Sequence, residues 1–189
     1  MKPIATTRSA TGIPTGRLAI WWVIASEIVI FGGLLTSYLM HRLGHPEFGG
    51  YAAHTNTWAG ALNTFILLTS SLTAVLAHNA ASRGNGPRAA KLLVATVVGG
   101  LGFLVVKSFE WSHEIQAGYT ITANAFWSFY YTAAGLHGIH VIVGMIAMLI
   151  IAADARKNRE LQRVEIIGLY WHFVDVVWIF LFPLLYIAK

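Results

Sequence analysis

Leu18–Met40 reads LAIWWVIASEIVIFGGLLTSYLM, an apolar run long enough to cross a bilayer as a helix and interrupted by one acid, Glu27. A second such run, Ile166–Ile187 (IIGLYWHFVDVVWIFLFPLLYI), carries Asp175. Each acid lies about nine residues from one end of its run, which at about 1.5 Å per residue is near the middle of a hydrocarbon core about 30 Å thick. A charge at that depth costs from roughly 2.5 to more than 10 kcal/mol, so such a carboxyl is protonated, paired against other helices, or part of a functional site.

Three further runs, Trp58–His78, Leu92–Trp111 and Ala125–Ala153, complete a set of five. The 189 residues are 56% hydrophobic and only 11% charged, with mean hydropathy +0.61; a soluble domain carries about 25% charged residues. The chain reads as an all-α polytopic membrane protein: a cytoplasmic segment, residues 1–17, and a single bundle of five transmembrane helices, residues 18–189. The opening MKPIATTRSATGIPTGR is polar and the first apolar run is of spanning length, so insertion without cleavage is expected.

Threading the runs alternately puts Lys2, Arg8, Arg17, Arg83, Arg88, Lys91, Arg156, Lys157, Arg159 and Arg163 on one side, ten residues, against Arg42 and Lys189, two, on the other. That asymmetry predicts a cytoplasmic amino terminus and an outward carboxy terminus. The net charge of +5 therefore reports topology; no basic patch interleaved with aromatics points to nucleic acid. The absence of cysteine removes disulfides, thiolate metal sites and thiol catalysis together.

Four connections follow. His41–Thr57 reads as a short outward loop, Asn79–Ala90 as a Gly/Pro turn, Ser112–Asn124 as a loop without Lys or Arg, and Asp154–Glu165 as a solvated helical extension. Trp21, Trp22, Trp58, Trp111, Trp127 and Trp171 fall mostly near segment ends, as a headgroup belt requires. Gly32, Gly33, Gly99, Gly100, Gly102, Gly135, Gly138 and Gly144 suit close approach of helix backbones.

The fourth run places His137 about 18 Å and His140 about 22 Å from its outer edge, the depth of Glu27 and Asp175 to within a turn. His172 precedes Asp175 by three residues and shares its helix face. Glu27, His137, His140, His172 and Asp175 can therefore form one cluster if the first, fourth and fifth spans meet. One reading is an acid–base network that stores or shuttles a proton, since low dielectric favours neutral carboxyls and imidazoles titrate near neutrality. The plainer reading is that each group pins one helix to another. Lys107 and Glu110, three apart, read as an interfacial ion pair with a snorkelling lysine. Asn63, Thr64, Thr69, Ser70, Ser71 and Thr73 make the second span too polar to face lipid along its whole length. No metal motif appears, and His137 with His140 on one face does not offer the opposed ligands of a bis-histidine haem, so neither catalytic nor metal-ligating residues are assigned.

Ser26–Glu27, Leu62–Asn63–Thr64 with Ser70–Ser71, Glu110–Trp111, the string HGIHVIVG at His137–Gly144 and the string YWHFVDVVW at Tyr170–Trp178 together resemble subunit III of haem–copper oxidases. The resemblance covers Leu18 to Tyr186. It implies a non-catalytic helical subunit of an aerobic terminal oxidase in a bacterial inner membrane. The resemblance also implies that haem and copper belong to partner subunits and that this chain holds neither. Direct packing on subunit I is implied, with subunit II, a small subunit IV and a respiratory supercomplex as further partners. Support of proton uptake, protection during turnover and binding of structural phospholipid are implied too. By position, Glu27, His137, His140, His172 and Asp175 match the family's intramembrane polar residues, while Asn63, Thr64, Ser70, Ser71, Glu110 and Trp111 match its packing motif.

Two departures stand out. Longer family members have seven helices with a lipid-filled cleft after the second, whereas this chain starts at the equivalent of the third. Lys107 and Trp111 replace a frequent glutamine and tyrosine. Ser26–Glu27 and WHFVDVVW favour the cytochrome c branch over quinol oxidases and the small proteins associated with nitric oxide reductases. An independent proton-coupled carrier is the reading from another class; five spans do not divide into the paired repeats common in such carriers. A membrane b-type cytochrome is the third.

Overall fold

The computed structural model describes residues 15–188; Lys2, Arg8, Lys189 and most of the amino-terminal segment lie outside the described residues. Six α-helices follow in order: α1 (Thr15–Gly44), the short α2 (Phe48–Ala52), α3 (Thr57–Ser82), α4 (Gly86–Gln116), α5 (Ala125–Arg156) and α6 (Arg163–Phe182), the last running into a π-helical turn, Pro183–Ile187. α1, α3, α4, α5 and α6 with its turn are each long and apolar enough to cross a membrane.

Local chemistry sets these boundaries. Asn56, Asn85 and Asn124 cap α3, α4 and α5, their side-chain oxygens accepting from the N–H of Ala59, Arg88 and Trp127 at 3.1 Å in each case. Gly84 (φ 75°) and Gly118 (φ 90°) take the left-handed conformation that stops α3 and α4. Pro183 has no N–H to continue the α-helical ladder, and Ala188 N–H instead donates to Pro183 O at 2.9 Å across the wider turn.

α3 packs on α4, α4 on α5, α5 on α6 and α6 back on α3, a closed four-helix bundle; α1 lies outside it against α6 and α5. The bundle therefore has a basic end, where α1 begins and the α3–α4 and α5–α6 turns lie, and a far end. Three contacts hold α1 along its length: an Arg17–Glu165 ion pair, a Glu27–His140 contact at 3.0 Å, and a Tyr38 hydroxyl donating to Leu184 O at 3.0 Å. Its remaining surface carries exposed Trp21, Trp22, Ile28, Val29 and Met40.

Several expectations change. α2 folds back over the far end of the bundle and buries Phe48 against Phe126 (5.9 Å, edge-to-face), so the first connection is a cap rather than a plain loop. α4 continues past Trp111 to Gln116, which moves Glu114 from the expected loop into the helix. Of Asp154–Glu165 only the two ends are helical, in α5 and α6, and residues 157–162 form a tight turn and not a helical extension: Asn158 and Glu160 have φ of 54° and 51°, and Asn158 Oδ1 accepts from Gly86 N–H at 2.9 Å. Trp127 and Trp171 are fully buried, so only Trp21, Trp22 and Trp58 among the belt candidates are strongly exposed.

Of the expected close-approach glycines, Gly99, Gly100 and Gly144 fulfil that role, while Gly32 and Gly33 have no neighbour within 4 Å of an added Cβ. A Cβ on Gly144 would lie 3.0 Å from the Trp171 ring and 3.3 Å from Tyr170. Gly144→Val is therefore expected to destabilise the bundle by about 1–3 kcal/mol through overpacking against a ring with no free space. Thermal unfolding of the solubilised assembly measures this.

Candidate functional site

The spans do bring acids and histidines to middle depth, but the bonded contacts form separate groups. Between α1 and α5, Glu27 Oε2 lies 3.0 Å from His140 Nε2, with the side chains 17% and 15% exposed. His140 Nδ1 donates to Leu136 O at 2.8 Å, since a carbonyl can only accept. The approach of Glu27 to His140 is one of distance alone, since Glu27 Oε2 has no hydrogen-bond partner among the described residues.

Between α3 and α6 a ladder of side-chain bonds runs along the interface. Ser71 Oγ and His172 Nδ1 are 2.6 Å apart; Trp171 Nε1 donates to Ser70 Oγ at 3.1 Å; Trp178 Nε1 donates to Thr64 Oγ1 at 3.0 Å. The polar pattern of the second span is read by indole and imidazole rings of the last. Asn63, His137 and Asp175 are buried, and their side-chain nitrogens and oxygens have no hydrogen-bond partner among the described residues. His137 sits between Phe103 and Trp178, each ring centroid 5.3 Å away.

Sequence reasoning missed the largest polar assembly. Lys107 does not snorkel; it is 4% exposed, inside the far half of the bundle. Its Nζ donates to Glu110 Oε2 at 3.0 Å, to Tyr130 Oη at 2.8 Å and to Tyr186 Oη. Tyr130 Oη also lies 3.0 Å from Glu114 Oε1 and 3.2 Å from Glu110 Oε1, and Tyr186 Oη donates to Glu110 Oε2 at 3.1 Å. The ring centroids of Tyr130 (4.5 Å), Tyr186 (5.0 Å), Trp111 and Trp178 (both 5.7 Å) surround the ammonium. The cation thus pairs with Glu110 directly and is linked to Glu114 only through the Tyr130 hydroxyl, tying α4 to α5 and the π-helical turn. Trp111 packs edge-to-face on Tyr131 at 5.2 Å. Among the described residues no group of three or more His, Asp or Glu side chains is arranged to hold a metal ion.

Apolar spans around a buried ion pair, an acid–imidazole pair at middle depth and a bonded α3–α6 seam define a polytopic membrane protein whose polar groups lie between its helices. The chain matches the cytochrome c oxidase subunit III family over residues 6–189. It is 32% identical to cytochrome c oxidase subunit 3 of Bacillus sp. (strain PS3), over 98% of this chain and 92% of the relative. It is 31% identical to quinol oxidase subunit 3 of Bacillus spizizenii, over 92% and 88%. It is also 32% identical to a heme-copper oxidase subunit I+III of Aeropyrum pernix, over 91% of this chain but 22% of that much longer protein. The chain belongs to the cytochrome c oxidase subunit III family and is a subunit III of a haem–copper oxidase, of the cytochrome c or the quinol kind, working with other oxidase subunits.

Proposed function

We propose that the chain packs on subunit I of a terminal oxidase in a bacterial inner membrane, basic end in the cytoplasm, and supports proton uptake and the integrity of the catalytic subunit without a haem or copper of its own. The observation that carries this reading is the Glu27–His140 pair, an acid and a base 3.0 Å apart at mid-membrane depth and reachable from the outside of the bundle. A polar pair with even a small exposed fraction is costly against hydrocarbon and suits a protein surface. The relative that joins subunits I and III in one polypeptide supports that choice of neighbour.

The test is Glu27→Gln, alongside Asp175→Asn, in the purified oxidase. Proton uptake or the stability of the complex is expected to fall, with haem and copper retained at wild-type stoichiometry. Loss of metal from an otherwise assembled complex would contradict the reading, as would full activity of this chain alone as a carrier in liposomes. Ser26–Glu27 and the WHFVDVVW string favour cytochrome c as donor. The similarity to a quinol oxidase subunit 3 supports the second reading, and oxidation assays with each donor separate them.

A further inference from the structure

In the far half of the bundle the aromatic rings sort into two branches. The branch under α2 is built on phenylalanine and histidine, with Phe48 against Phe126, His41 and His45, and His41 against Phe129. A second branch beside it runs through tryptophan and tyrosine without interruption. It starts at half-buried Trp111 of α4 and continues through Tyr131, Tyr130 and Trp127 of α5, each ring centroid 5.2 Å from the last. It ends on Tyr119, half-buried at the far end and stacked on Trp127 at 4.9 Å. Indole and phenol rings give up an electron to oxidants that leave a benzene ring untouched.

The hydroxyl groups in the middle of this branch meet bases. Tyr130 Oη lies 3.0 Å from Glu114 Oε1 and 3.2 Å from Glu110 Oε1, and Tyr186 Oη, 3.0 Å from Tyr130 Oη, donates to Glu110 Oε2 at 3.1 Å. Lys107 pairs with Glu110 and reaches Glu114 only through Tyr130, while Glu114 Oε2 has no hydrogen-bond partner among the described residues. Glu114 is therefore the base left over, within hydrogen-bond reach of the proton it would take. Bulk alone is supplied by phenylalanine in the first branch. A hydroxyl set on a carboxyl group supplies what oxidation of a buried phenol demands, because the proton it releases is costly to leave unpaired in a low-dielectric interior.

We propose that Trp111, Tyr131, Tyr130, Trp127 and Tyr119 form an electron relay with Tyr130 as its redox-active centre, reducing alkylperoxyl radicals of the lipid phase with electrons from a water-soluble enediol at the far end. A peroxyl radical at Trp111 takes one electron and, with a proton from the medium, becomes a hydroperoxide. The vacancy passes through Tyr131 to Tyr130. There the O–H bond breaks, the proton moves to Glu114 Oε1, and a neutral tyrosyl radical remains. The enediol returns one electron through Tyr119 and Trp127 and is itself oxidised by one electron. Glu114 then gives the proton back and the O–H bond re-forms. Each turnover consumes one peroxyl radical, one electron and one proton for each hydroperoxide formed. No group of another subunit takes part, so the relay goes beyond the oxidase reading and stands or falls apart from it.

The experiment uses the purified oxidase in detergent, with cyanide blocking its oxygen-reducing centre and a lipophilic azo initiator releasing alkylperoxyl radicals in the micelle. Electron paramagnetic resonance of rapidly frozen samples is the readout. Wild type is expected to give a neutral tyrosyl signal that narrows with ring-deuterated tyrosine and decays on addition of ascorbate. Tyr130→Phe is expected to lose that signal, and so is Glu114→Gln, which keeps the shape of the side chain and accepts no proton. Trp127→Phe is expected to keep the signal and to slow its decay with ascorbate, because the centre survives and the path to the far end is cut. Tyr170→Phe is the control and leaves both unchanged, since its hydroxyl donates to the His140 carbonyl, 3.4 Å away, which cannot take the proton. The proposal is overturned if wild type gives no tyrosyl signal, if the signal survives Glu114→Gln at full size, or if Trp127→Phe decays with ascorbate as wild type does. Those outcomes decide even where Tyr130→Phe fails to assemble. Haem content and subunit stoichiometry of each preparation report separately on assembly and on the oxidase reading.

Discussion

Lys107→Met is expected to cost the assembly about 3–5 kcal/mol, the penalty for removing one partner of a buried ion pair and leaving the other enclosed. The substitution strands Glu110 and Glu114 together in the far half of the bundle and empties an aromatic cage of four rings. Lys107→Gln is expected to cost clearly less, because an amide still donates to Glu110 and the tyrosine hydroxyls. Lys107→Met combined with Glu110→Leu is expected to recover part of the loss, since replacing both members of a pair removes the uncompensated charge. The surviving fraction of complex after graded heating in detergent measures all three. A Lys107→Met complex as heat-resistant as wild type would show that the network contributes nothing to cohesion.

Trp178→Ala is expected to destabilise by a similar amount, about 3–5 kcal/mol, the range for truncating a buried tryptophan. Trp178 is 1% exposed and lies where four helices meet. Its ring packs edge-to-face on Phe103 of α4 at 4.8 Å, lies 5.3 Å from His137 of α5, and bonds to Thr64 of α3. Truncation therefore opens a void touching every element of the bundle. Trp178→Phe keeps most of the ring contacts and loses the bond to Thr64, so about 1 kcal/mol is expected. Near-ultraviolet circular dichroism with thermal unfolding distinguishes a local void from a loosened bundle. Equal effects of the two substitutions would place the energy in the hydrogen bond and not in the packing.

The architecture was largely legible because bilayer-spanning length is written directly into apolar runs: all five spans lie where Leu18–Met40 and its four counterparts placed them. The end of α4 was misplaced because Ser112–Gln116 is polar, and hydropathy cannot tell a solvated last turn of helix from a loop. That error hid Glu114. Tyr130 and Tyr186 stayed invisible for another reason: a tyrosine counts as apolar in a span, and its hydroxyl becomes informative only once Lys107 is known to point inward. The nearest signal was the unusual lysine itself. Among the middle-depth residues, spacing put Glu27 and His140 at one level but could not say that His140 would turn to α1 while His137 turned inward to Phe103 and Trp178. Three residues advance the helix by about 300°, leaving the two side chains only about 60° apart around the axis, a difference that depth alone does not encode.

Arg17, Glu27 and Tyr38 are spaced ten and eleven residues apart, close to three helical turns each, so one edge of α1 is riveted at about 15 Å intervals. Sliding by a single residue would shear all three rivets together, and no intermediate register restores any of them. Heat or detergent can therefore only peel this helix away from one end. The outermost span behaves as a zip rather than a piston: it transmits no axial stroke between the membrane faces, and its detachment is expected in proteolysis as progressive exposure from a terminus.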